Sequence, residues 1–152
     1  MKFKFRLAKV EEYRRRLEDA RKKEFKLAQD ALESAIEELR GLQKKNTVTQ
    51  KRIEEKLCGE LTPGEISIYI NCLEKMVDII SQKRDEVKSR QLEVENKKQR
   101  LIEAMQARKL IERLRERRYE EFKKELKRIE QNLTDEFAKQ IFLHKSYGTG
   151  ES

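Results

Sequence analysis

This sequence predicts an all-α fold, a long antiparallel two-helix coiled coil (an α-helical hairpin) with a projecting C-terminal helix end. Three observations predict it. Of 152 residues, 43% are charged and 36% hydrophobic, with five Gly, one Pro and no Trp, the balance of coiled coils and long helices. Helix-breaking residues are gathered in one short stretch. On either side of it apolar residues recur at spacings of three and four. A compact domain of this length needs more aliphatic and aromatic surface than this chain offers, so its apolar residues must lie in stripes.

In chain order, the first helix is expected over residues 3–57. Its later half carries the seam Phe25, Ala28, Leu32, Ala35, Leu39, Leu42, Asn46 and Ile53, and Gly41 costs about 1 kcal/mol against Ala without breaking the register. The turn, residues 58–64, holds the only Pro and two of the five Gly, and Thr62 or Pro63 starts the next helix as cap and first-turn residue. The second helix is expected over residues 65–143. Its seam reads Ile66, Ile70, Leu73, Val77, Ile80, Val87, Val94, Leu101, Met105, Tyr119, Phe122, Leu126, Ile129 and Leu133. The same register puts Arg84, Gln91, Lys98, Arg108, Glu112 and Arg115 on the seam, which predicts looser packing there. Residues 1–144 thus form one elongated hairpin, and residues 145–152, with Gly148 and Gly150, read as a disordered tail.

A short turn between helices this long makes them antiparallel, with residue i facing a residue near 122 minus i. The first helix is then spent near Glu120, and roughly the last 20 residues of the second run on, about 30 Å at 1.5 Å per residue. Leu126, Ile129, Leu133, Phe137 and Ile141 continue an apolar stripe there without a partner in the chain, a surface that calls for another protein or a fold-back. Near the turn, Tyr69, Cys72, Met76 and Ile79 form a second stripe beside the expected seam. That stripe either thickens the packing or docks a partner.

Charge is uneven. Residues 1–26 hold 11 Lys/Arg against 5 Asp/Glu, and residues 97–128, their expected neighbours, hold 13 against 6; residues 57–96 hold 5 against 8. The base of the hairpin is therefore basic and the tip mildly acidic, which suits an acidic partner at the base.

Catalysis finds little to work with. His144 is the only histidine, so no triad assembles around a structured base. Glu11-Glu12 and Glu37-Glu38 lack a pocket, no glycine-rich phosphate loop occurs, and Cys58 and Cys72 lack metal-ligand or redox spacing. No cofactor or metal is expected. With no long apolar run or signal peptide, the chain is expected to be cytoplasmic. Basic residues interleaved with Glu, and the absence of a recognisable motif, argue against nucleic acid, although a nucleic-acid-binding rod and a self-associating structural scaffold are the rival classes.

The opening Phe3-Lys4-Phe5-Arg6-Leu7-Ala8-Lys9-Val10 with Tyr13-Arg14, the segment Ile68-Tyr69-Ile70-Asn71-Cys72-Leu73-Glu74-Lys75 and the late Asp135-Glu136-Phe137-Ala138 resemble FliJ-type flagellar export proteins. The resemblance covers nearly the whole chain. It implies the stalk of a type III export apparatus, monomeric alone and peripherally associated with the inner face of the cell membrane at the flagellar basal body. Its implied partners are the export ATPase hexamer, the membrane export gate protein and export chaperones. The family's gate-binding surface would fall on Leu39, Leu42, Tyr69, Leu73, Met76 and Ile80 at the tip, with Asn46 standing where the pattern has an aromatic residue. The ATPase would then meet the base at Arg14, Arg15, Arg16, Arg117, Arg118, Leu133, Phe137 and Ile141.

Overall fold

The computed structural model describes residues 2–59 and 61–148. Two long helices, α1 (Ala8–Leu57) and α2 (Pro63–Gly148), pack against each other as an all-α hairpin, and no strand occurs among the described residues. The chain forms two compact units: residues 16–105, which contain the turn, and residues 1–15 with 106–152, which contain both chain ends.

In the turn-containing unit, α1 closes with a tight bond from the Gly59 amide to the Lys56 carbonyl (3.0 Å). No residue among those described adopts a positive φ. The Thr62 hydroxyl accepts the Glu65 amide (3.4 Å), so Thr62 is the N-cap and Pro63 the first helical residue, where its missing N–H costs nothing. The second helix therefore begins two residues before the expected Glu65.

The buried face of α1 in this unit repeats every three and four residues through Phe25, Ala28, Leu32, Ala35, Leu39, Leu42, Asn46, Thr49 and Ile53. Ala35 is only 3% exposed. On α2 the covered positions are Ile66, Tyr69, Leu73, Met76, Ile80, Lys83, Val87, Arg90, Val94, Lys97, Leu101 and Ala104, with Ile102 and the expected seam residue Met105 also half-buried. Half of the expected seam is thus displaced. Ile66, Leu73, Ile80, Val87, Val94 and Leu101 lie on it, but Ile70, Val77, Arg84, Gln91 and Lys98 are exposed, and the residue before each takes its place. Cross-helix ion pairs show the same step. The pairing rule sets Glu38 and Glu24 opposite positions 84 and 98, whereas their partners are Lys83 and, at 3.8 Å, Lys97.

The other unit begins with a segment that is not helical. Lys2 to Leu7 precedes α1, which starts at Ala8 rather than near Phe3. Alternation is the reason: Phe3, Phe5 and Leu7 are half-buried while Lys2, Lys4 and Arg6 are exposed, a period-two pattern that runs through an irregular stretch (residues 2–5) and a turn at Arg6 and Leu7. Phe3 meets Tyr119 edge-on at 5.3 Å and Phe122 at 5.5 Å. On α2 the half-buried residues here are Ala107, Arg108, Ile111, Glu112, Leu114, Phe122, Leu126 and Ile129, and every residue from Glu130 to Gly148 is exposed. Residues 145–148, expected in the tail, are helical, and the rest of that expectation lies outside the described residues.

Candidate functional site

With two helices packed side by side, the candidate sites are surfaces and open pockets. Among the described residues no group of His, Cys, Asp and Glu is arranged to hold a metal, and no helix is long and apolar enough to cross a membrane.

The first surface lies on the opening turns of α2. Between Ile66 and Ile80 only Ser67, Asn71, Glu74, Lys75 and Asp78 are polar, so at 100° per residue the apolar arc spans roughly 200°. One packed helix covers about half of such an arc. α1 takes its centre, where Tyr69, Leu73, Met76 and Ile80 are half-buried or buried, and the Tyr69 hydroxyl accepts Lys56 Nζ at 2.6 Å. All six residues expected at the tip surface, Leu39, Leu42, Tyr69, Leu73, Met76 and Ile80, thus lie along the interhelical seam. What remains outside are two strips. Ile70 and Val77, the latter 59% exposed, flank Leu73 in a shallow groove edged by Glu74 and Asp78. Ile68, Cys72 and Ile79 are exposed on the opposite side. Of the stripe Tyr69, Cys72, Met76, Ile79, two members pack inward and two face out.

The second surface belongs to the unit with both chain ends. Its seam is ionic. Glu11, 5% exposed, accepts hydrogen bonds from Arg15 at 2.7 Å and faces Arg115 at 3.0 Å; Glu112 receives Arg108 at 2.8 Å and lies 3.6 Å from Arg15. The Arg108 hydrogen bond, with Arg15 and Arg115 nearby, holds the Glu112 carboxyl below the ordinary carboxylate value despite the opposing effect of burial. Arg14 is half-buried, with its guanidinium 5.8 Å from the Tyr13 ring centre. Arg117 and Arg118 are exposed, and Arg118 pairs with Glu121 at 3.4 Å. Arg16 falls in the other unit. Beyond Ile129, Leu133, Phe137 and Ile141 share one face of α2 and are exposed, Phe137 to 66%. Phe142, beside that face, is also open.

Sequence reasoning placed this helix-end stripe but overlooked two features. The exposed Ile70 and Val77 were assigned to the seam, because an apolar arc that wide admits two registers. The N-terminal segment was read as helix although its strict alternation signalled otherwise.

No curated protein and no solved structure matches the chain significantly. A family model described as flagellar FliJ protein matches residues 3–146. That span takes in both helices, the turn and the N-terminal segment, so the chain belongs to the flagellar FliJ protein family and is a component of the flagellar export apparatus.

Proposed function

We propose that this chain is a non-enzymatic stalk and adaptor of flagellar protein export, one that promotes assembly and activity of the export ATPase ring and contacts the membrane export gate and export chaperones. Family membership supports the setting. The observation that carries the ATPase contact is the stripe Leu133, Phe137 and Ile141, a helical face left wholly in water. Such a face is costly unless a partner covers it. The exposed Arg117 and Arg118 in the same unit give an acidic ring surface a reason to approach. Arg14 and Arg15 are engaged in the fold and contribute charge rather than open contact.

For the gate contact, the exposed strip of Ile70 and Val77 is the better candidate than the six seam residues, since a side chain already packed against α1 has little surface left to give. This reading places the protein peripherally at the inner face of the membrane, held there by its partners.

The test is binding and stimulation of the purified export ATPase. Phe137→Ala is expected to weaken binding by about 1–3 kcal/mol, mostly through faster dissociation, and to reduce stimulated ATP hydrolysis. Charge reversal at Arg117 and Arg118 should instead slow association, and more so at low salt. If removal of residues 133–152 leaves both binding and stimulation intact, the ATPase contact lies elsewhere. A chain that self-associates at micromolar concentration through the same stripe would support the scaffold reading instead.

A further inference from the structure

The N-terminal segment lies on α2 without filling the space beneath it. A cavity of about 960 Å³, partly open to solvent, remains between Phe3, Phe5 and Leu7 on one side and Leu114 and Phe122 on the other. Although it opens to solvent, a pocket of this size falls within the roughly 300–1,000 Å³ range of ligand sites.

The rim is cationic once its internal pairs are counted. Glu125 is held by Arg128 at 2.6 Å and Glu121 by Arg118 at 3.4 Å. Lys2, Lys4 and Arg6 line the same cavity and make no ion pair among the described residues. The segment's backbone is open as well. Its carbonyls at Phe5 and Leu7 accept the amides of Ala8 (3.2 Å) and Glu11 (2.9 Å), while Phe3 and Lys4 have no backbone hydrogen bond among the described residues. A non-helical stretch with unpaired amides and carbonyls offers an edge on which a partner strand can pair.

We propose that this pocket binds an extended acidic peptide with apolar side chains at alternate positions, supplied by a partner protein. Its apolar side chains enter the cavity over Leu114 and Phe122, its carboxylates meet Lys2, Lys4 and Arg6, and its backbone pairs with the segment's free edge. The two-residue period of the receptor dictates the two-residue period of the ligand. An anionic lipid would satisfy the cations and the apolar floor but would leave the backbone edge unused, which is why a peptide fits better. The site involves none of Leu133, Phe137 or Ile141 and stands whichever protein supplies the peptide.

The experiment titrates the full chain against a short fluorescent peptide of alternating Glu and Leu and follows its anisotropy. Saturable binding is expected. It should weaken about tenfold in the double variant Lys4→Gln, Arg6→Gln, whose exposed side chains leave the helix signal unchanged. The matched double variant Arg84→Gln, Lys88→Gln, equal in charge but remote in sequence and in the other unit, should bind like the parent. A peptide with Lys in place of Glu should not bind. The proposal is overturned by absence of saturable binding, by equal loss in the two double variants, or by equal binding of the Lys peptide. It is also overturned if phosphatidylglycerol vesicles bind in a Lys4- and Arg6-dependent way while the acidic peptide does not.

Discussion

In the unit that contains the turn the seam buries small and branched apolar residues, Ala28, Ala35 and Ile53 on α1 and Ile80 and Val87 on α2, whereas in the unit that holds both chain ends the half-buried Ala107, Ile111 and Leu114 share it with cross-helix pairs of Glu11 with Arg115 and of Arg15 with Glu112. The same pair of helices thus uses two kinds of seam. Apolar burial is non-directional and roughly proportional to area, so the first stabilises whichever register buries most. Ion pairs with half-exposed partners add little net stability but depend on particular partners, so the second contributes more to specificity. Stability should therefore reside mainly near the turn. The helix end offered to a partner lies in the unit with the weaker seam.

The largest expected effect tests the first seam. Ile80 is 6% exposed, and Ile80→Ala should cost about 2–3 kcal/mol, the low end of the range for buried aliphatic truncations because a two-helix core is thin. Val77→Ala, which a seam through Ile70 and Val77 would make equally damaging, should stay within about 0.5 kcal/mol. Thermal unfolding followed by circular dichroism separates them. Equal losses would restore the register in which Val77 packs and Met76 does not.

How much of this was legible follows from the same residues. Helix α1 could be read closely, since Phe25, Ala28, Leu32, Ala35, Leu39, Leu42 and Ile53 keep one unambiguous apolar line. Helix α2 could not, because in its first turns Ile70 and Val77 compete with Tyr69 and Met76 for one partner and raw hydrophobicity favours the β-branched pair. What decides is the partner's position, which hydropathy does not encode. Polar seam positions were foreseen at Arg108 and Glu112 but misplaced at Arg84, Gln91 and Lys98, where Lys83, Arg90 and Lys97 lie instead with their charged ends able to reach the edge. The buried Glu11 and Glu18 had no sequence signal, for nothing in a charged heptad says which carboxylates turn inward.

A middle-sized effect tests the ionic seam. Glu11→Ala removes the acceptor shared by Arg15 and Arg115 and should cost about 1–2 kcal/mol, less than a fully buried pair would, because both guanidinium groups are about half exposed. Acid should act in the same direction. Glu112 has its folded value below the ordinary 4.5, chiefly through Arg108, so its contribution is present above 4.5 and lost as pH falls through the lowered value. Glu24 and Glu86 behave likewise through Arg21 and Lys83. Melting temperatures measured between about pH 6 and pH 3 should fall for the parent and fall less for Glu112→Gln, since that variant has already lost the charge. Parallel curves would mean that the Glu112 carboxylate contributes nothing by its ionisation.

The smallest effect concerns Asn46, whose amide lies in the middle of the apolar seam of α1. Asn46 sits between Leu42 and Thr49 on the buried face, and its Oδ1 atom is buried without a hydrogen-bond partner. Pairing of Glu38 with Lys83 and of Lys56 with Tyr69 brackets it, so Asn46 faces α2 near Met76. A buried amide oxygen left unsatisfied is destabilising, and a seam Asn is known chiefly as a device that fixes register at some loss of stability. Asn46→Leu should therefore raise stability by about 1 kcal/mol while loosening the choice between the two α2 registers, because Leu packs equally well against Met76 or Val77. Spin labels at exposed positions on α1 and α2 would show this as a broadened distance distribution in the variant and a single narrow one in the parent. If the variant melts no higher and its distances stay narrow, a water molecule already satisfies the amide and the register is held by the Lys83 to Glu38 pair and the turn alone.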